Sequence, residues 1–152
     1  AFAKSQMAAG FEVPLDGCVF VSVHDDHKDR IVPVVRHFYD MGFSITATRG
    51  TAARLRDRGI PVETIQKVSE GRPHVVDRIK NGDIQIIINT SVGRKSSRDA
   101  YHIRRGALVY NILYTTTLSG ARALSEAVMA LKRKGWGVNP LQDYHRVSAG
   151  EE

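Results

Sequence analysis

Cysteine is nearly absent from this chain. Cys18 stands alone among 152 residues, so no internal disulfide can form, and its place in the apolar run CVFVSV reads as a small buried core residue. Long hydrophobic runs are missing too: no stretch approaches the ~18 apolar residues of a membrane span. The N-terminal AFAKSQMAAGF also lacks the basic start and long apolar core of a signal peptide. These absences argue against export and against a membrane span, and they point to the cytoplasm. Aromatic residues make up 7% of the chain. They do not interleave with the basic clusters Arg94 to Lys95, Arg104 to Arg105 and Lys132 to Lys134 as base-stacking platforms do. Catalytic signatures are scarce as well. Apart from Asp25, no carboxylates pair at strand ends, no serine sits on a strained elbow, and the GxxxxGK[ST] phosphate loop is missing.

What the chain does have is positive charge and a repeating pattern. A formal net charge of +6 and a pI near 9.7 favour an anionic partner, either nucleic acid, an acidic membrane or a small phosphorylated ligand. From residue 18 onward, short β-branched runs alternate with helical patterns, the signature of a parallel sheet with crossover helices. Strands are expected at residues 18–23, 43–48, 62–67, 84–90 and 107–112, and helices near 28–41, 51–58, 73–81, 97–105 and 118–134. IQIIINT carries four isoleucines within five positions, as suits an interior strand covered on both faces. Pro33 implies that the first helix either begins late, near Arg30, or bends. Gly42, Gly59 and Gly82 fall where helices should end, and Gly120 punctuates the pattern later. The sum is a single α/β domain, doubly wound, with a mainly parallel five-stranded sheet and helices on both faces. Residues 1–17 read as the end of a preceding domain plus a linker, 18–147 as the domain itself, and 148–152 as a C-terminal tail.

In such folds ligands bind outside the carboxyl ends of the strands. The first strand runs into HDDHK, where two histidines and two aspartates could hold a metal but read more simply as solvated loop residues. Lys28 closes that motif and can reach an anion as a point charge. The second strand delivers ITATRGTAARL, in which Thr48, Thr51 and the N–H groups of the following helix can converge on one anion. The plain alternative makes Thr51 a helix cap and Gly50 a turn. The third strand ends at Lys67, and the fourth in Asn89 and Thr90, whose amide and hydroxyl suit a ribose or base. Together these describe an anion site with a polar rim, and they support binding better than chemistry.

These motifs, FVSVHDDHK, ITATRGTAARL, KVSEGRPHVVDRIKNGDIQIIINT and YHIRRGAL with YTTT, span residues 20 to 117. They resemble the C-terminal allosteric domain of the carbamoyl phosphate synthetase large subunit, a methylglyoxal-synthase-like fold. The resemblance implies a non-catalytic regulatory module of a glutamine-dependent, ATP-using ligase that serves pyrimidine and arginine biosynthesis. It implies a pyrimidine nucleotide such as UMP as inhibitor, or IMP, with ornithine as activator in the arginine-linked enzymes. Carried over by position, phosphate contacts fall on Lys28, Thr48, Thr51 and Lys67, and ribose or base contacts on Asn89, Thr90, Ser91 and Asp99. The ornithine contacts include Tyr114 and Thr116. Ser91 replaces a common threonine and keeps its hydroxyl, Thr115 stands where an aspartate can occur, and Arg49 where histidine is frequent. The implied partners are the rest of the large subunit and a glutaminase small subunit. ATP with Mg or Mn belongs to the parent enzyme, and no metal or cofactor is expected here.

Two other classes remain open from the residues. His24, Asp25 and Lys28 also resemble the first motif of methylglyoxal synthase, a lyase acting on dihydroxyacetone phosphate. That enzyme carries an aspartate and a proline after its fourth strand, where this chain reads INTSVGR. A basic nucleic-acid-binding module is the second alternative, and it predicts strongly salt-dependent binding.

Overall fold

The computed structural model describes residues 13–67, 71–90 and 97–134, with the side chains of 97–99 outside that description. Five parallel strands form one sheet in the order β3-β2-β1-β4-β5. They are β1 (Cys18–Ser22), β2 (Ser44–Ala47), β3 (Glu63–Thr64), β4 (Ile86–Asn89) and β5 (Leu113–Thr115). Between them run α1 (Lys28–Asp40), α2 (Arg49–Asp57), α3 (Val75–Lys80) and α4 (Ser97–Val109), and α5 (Leu118–Lys134) follows the last strand. A 3-10 turn, Asp25–His27, precedes α1.

The alternation of side chains along each strand divides the core in two. Val19, Val21, Ile45, Ala47, Ile86 and Ile88 point to one face, where they meet α1, α2 and α5. Phe20 and Ile87 point to the other, against Val75 and Ile79 of α3 and Ile103 and Ala107 of α4. The expected doubly wound arrangement is therefore present. The isoleucines of β4 are completely buried on both faces, between β1 and β5.

Three details depart from the sequence expectation or resolve it. Residues 107–112 do not form the fifth strand. Ala107, Leu108 and Val109 continue α4, because Ile103 and Ala107 share its buried face at helical spacing while Leu108 and Val109 remain exposed. Asn111 then takes a left-handed φ of 56° and stops the helix, with the Ile112 N–H donating back to the Ala107 carbonyl at 2.9 Å. The strand expected at 62–67 shortens to Glu63–Thr64, with a bridge between Gln66 and His74 beyond it. Finally, α1 begins at Lys28 and runs through Pro33, so the late start is not adopted. That helix ends as expected: Gly42 at φ 103° lets the Phe43 N–H reach the Phe38 carbonyl at 3.1 Å, a backbone turn that a Cβ disfavours.

Candidate functional site

The strand order reverses beside β1. The chain steps outward from β1 to β2 and β3, then returns to place β4 on the other side of β1. Helix α1, which comes after β1, covers one face of the sheet, and α4, which comes after β4, covers the other. In doubly wound sheets the ligand crevice lies outside the carboxyl ends of the strands at such a reversal.

Most of the buried polar side chains collect around this crevice. Of the seven buried polar residues described, Ser22, Thr48, Thr51, Asn89 and Thr90 lie at the carboxyl ends of β1, β2 and β4. Burying a hydroxyl is costly without a partner, and here the hydroxyls serve one another. Thr48 Oγ1 donates to Ser22 Oγ at 3.4 Å and lies 3.5 Å from Thr51 Oγ1. Thr51 Oγ1 accepts the Val23 N–H at 3.3 Å, which ties the loop after β1 to the start of α2. Across the crevice Thr90 Oγ1 accepts the His24 N–H at 3.2 Å and lies 3.0 Å from His27 Nδ1.

The start of α2 corrects the plain reading of ITATRGTAARL. The cap is Thr48 rather than Thr51, and Gly50 lies inside the first turn rather than before it. The Thr48 hydroxyl makes no side-chain cap hydrogen bond, since it is committed to its hydroxyl neighbours. First-turn N–H groups have no acceptor within their helix, so this end of α2 carries partial positive charge that its own cap does not quench.

Lys28 is brought to that same end. Its side chain is 15% exposed, and its Nζ lies 3.5 Å from the Val23 carbonyl. A Cβ built on Gly50 would stand 3.4 Å from Lys28 Cε and 3.6 Å from Nζ, ordinary contact distances, so the ammonium lies close against the first turn of α2. A cation beside a helix N-terminus is electrostatically unfavourable on its own, and a shared anion relieves it. Asp25 Oδ1 accepts a hydrogen bond from Lys28 Nζ. Lys28 above all, then His24 and Lys67, hold the Asp25 carboxyl below the usual range. Lys67, three residues past the end of β3, lies near enough to help lower the same carboxylate.

Asn89 ends β4 in register with Ser22 and hydrogen-bonds the Tyr114 side chain of β5. Burial pushes the Tyr114 phenol up, against the opposing effects of Asn89 and Arg104. Thr116 follows β5 and is half-buried. Ser91 and the side chain of Asp99 lie outside the described residues. The structure thus brings Lys28 against the α2 turn that carries Thr48 and Thr51, with Lys67 near Asp25, while Asn89 and Thr90 end β4, Asn89 beside Tyr114.

Two participants escaped the sequence reading, the Asp25 partnership with Lys28 and the His27 contact with Thr90. The first carried a signal, since residues three apart at a helix start are neighbours. Among the described residues no group of three or more His, Cys, Asp or Glu side chains could hold a metal, and the HDDH loop does not form one. No described helix is long and apolar enough to cross a membrane.

Residues 30–116 match the family model of the MGS-like domain. The chain is 47% identical over 147 residues to a carbamoyl phosphate synthase large chain, C-terminal section, from Methanopyrus kandleri, covering 96% of this chain and 27% of that one. It is 48% identical over 144 residues to the carbamoyl phosphate synthase large chain of Rhizobium meliloti, covering 95% and 12%. The large chain of Myxococcus xanthus is 44% identical over 149 residues, covering 98% and 14%. The chain therefore spans between about an eighth and about a quarter of the length of these relatives.

Proposed function

Since the chain belongs to the MGS-like domain family and matches the carbamoyl phosphate synthase large chains along nearly its whole length, we propose that it is their kind of regulatory domain. It binds a nucleoside monophosphate, UMP as inhibitor or IMP, and answers to ornithine near Tyr114 and Thr116. The parent enzyme is then a glutamine-dependent, cytoplasmic ligase serving pyrimidine and arginine biosynthesis, paired with a glutaminase small subunit. Its ATP chemistry, with Mg or Mn, falls outside these residues.

The observation that carries this reading is the Lys28 ammonium set against the uncapped first turn of α2. Lys28, Lys67 and the α2 N–H groups supply charge and donors for a phosphate, while Thr48 and Thr51 offer hydroxyls. Asn89 and Thr90 are polar groups suited to a ribose. Among the described residues, Asp25 is the carboxylate that meets Lys28, and that ammonium engages it, while INTSVGR lacks the aspartate and proline that the lyase carries after its fourth strand. The site therefore reads as one that senses a phosphate rather than reacting it.

Regulation follows from linkage. If the effector favours one packing of this domain on the synthetase body, a coupling of about 1 to 3 kcal/mol changes substrate affinity there roughly 5- to 150-fold. Calorimetric titration of the 152-residue chain with UMP is expected to saturate one site. Lys67→Ala should weaken that binding about 10- to 100-fold, the worth of one charged hydrogen bond. Equal UMP affinity in the two proteins would sink the assignment. So would sustained production of methylglyoxal from dihydroxyacetone phosphate.

A further inference from the structure

The cations assigned to the ligand phosphate already serve a carboxylate of the chain itself. We propose that Asp25 is an intramolecular competitor for the phosphate: its carboxylate holds the Lys28 ammonium, and a phosphate reaches that ammonium by displacing it. The inference rests on the nucleotide-site reading and adds a regulated threshold to it.

The asymmetry of the pair supports this. Lys28 is held by the fold, its side chain 15% exposed, its stem against Gly50 and its ammonium near the Val23 carbonyl. The Asp25 side chain is 89% exposed and projects from the 3-10 turn. It can swing into solvent while Lys28 stays in place. Lys28 touches the Asp25 carboxylate, and His24 and Lys67 add to its pull from farther off. An incoming phosphate therefore meets a like charge at the spot where it gains most.

Magnitudes make the contact a threshold rather than a block. An exposed ion pair shifts an equilibrium by about fivefold or less. A phosphate dianion forms charge-assisted hydrogen bonds to the same ammonium and to the first turn of α2, and these are stronger than the pair it replaces. The phosphate wins the exchange at reduced affinity.

Calorimetric titration with UMP of the wild type, Asp25→Asn and Asp26→Asn tests the proposal. Both variants lose one negative charge from exposed neighbouring positions, but Asp26 faces His24, at 3.6 Å, rather than Lys28. Asp25→Asn is expected to bind UMP about three- to fivefold tighter than wild type, and Asp26→Asn within about twofold of it. Unchanged or weaker binding by Asp25→Asn would mean that the carboxylate is neutral or positions Lys28 for the ligand, and would overturn the competitor role while leaving the nucleotide site standing. An equal gain in Asp26→Asn would reduce the effect to overall charge and also overturn it. A wild type that takes up no UMP removes the underlying reading and this inference with it.

Discussion

Thr51 is 1% exposed, and its hydroxyl stands between the first two strand ends. By accepting the Val23 N–H it fixes where the loop after β1 leaves the sheet, and so where Lys28 begins its helix. Thr51→Val keeps the volume and removes the acceptor, leaving a buried N–H without its partner. The expected cost is about 1 to 3 kcal/mol of stability, read from the midpoint of urea unfolding. Thr51→Ser, which restores the oxygen, should recover most of it. Such residues were visible in the sequence because threonines at the end of an apolar strand have little other business there. The hydroxyl chain from Thr51 through Thr48 to Ser22 was not visible, since it depends on two strands 26 residues apart in sequence being neighbours.

Elements were legible where two patterns agreed. β1, β2 and β4 combine continuous β-branched runs with flanking turn residues, and α1 keeps its apolar stripe across Pro33. ALVYNI misled because six residues rich in apolar character fit a strand as well as the last turns of a helix, and periodicity alone does not separate them. Asn111 was the overlooked signal. Asparagine tolerates the left-handed region and ends helices where glycine is missing. Asn111→Ala is therefore expected to cost about 1 kcal/mol in thermal or urea unfolding, and Asn111→Gly to cost nothing or to stabilise. A neutral Asn111→Ala would mean that the turn is held by packing at Ile112 rather than by its backbone. The edge strand β3 was overextended for a related reason: its pairing with Thr46 and Ala47 covers two residues, although the apolar pattern runs on.

At the scale of the molecule, the site draws on the ends of β1, β2 and β4 at once, and ligand binding reports on the assembled sheet. A ligand that binds only this assembly stabilises it by about 2.7 kcal/mol at a hundred times its dissociation constant. UMP should accordingly raise the unfolding midpoint in a concentration-dependent way. It should also slow amide hydrogen exchange in both the 23–28 loop and the first turn of α2. A rise in midpoint without protection at those two segments would place the nucleotide elsewhere. Asp29 adds a link between the same helices, because its carboxylate pairs with Arg54 and Arg58 of the α2 segment.

The place of β1 at the centre of the sheet also sets an order of events during synthesis. Val19 pairs with Ile45 on one side and with Ile86 on the other. The first partner leaves the ribosome some 41 residues before the second. At about 5 to 20 residues per second the nascent chain spends about 2 to 8 seconds with one flank of β1 open. During that interval the Lys28, Thr48 and Thr51 half of the crevice can assemble, while the Asn89 half has yet to be made. The end proposed to hold the phosphate is thus older, in the life of each molecule, than the end proposed to recognise the nucleoside.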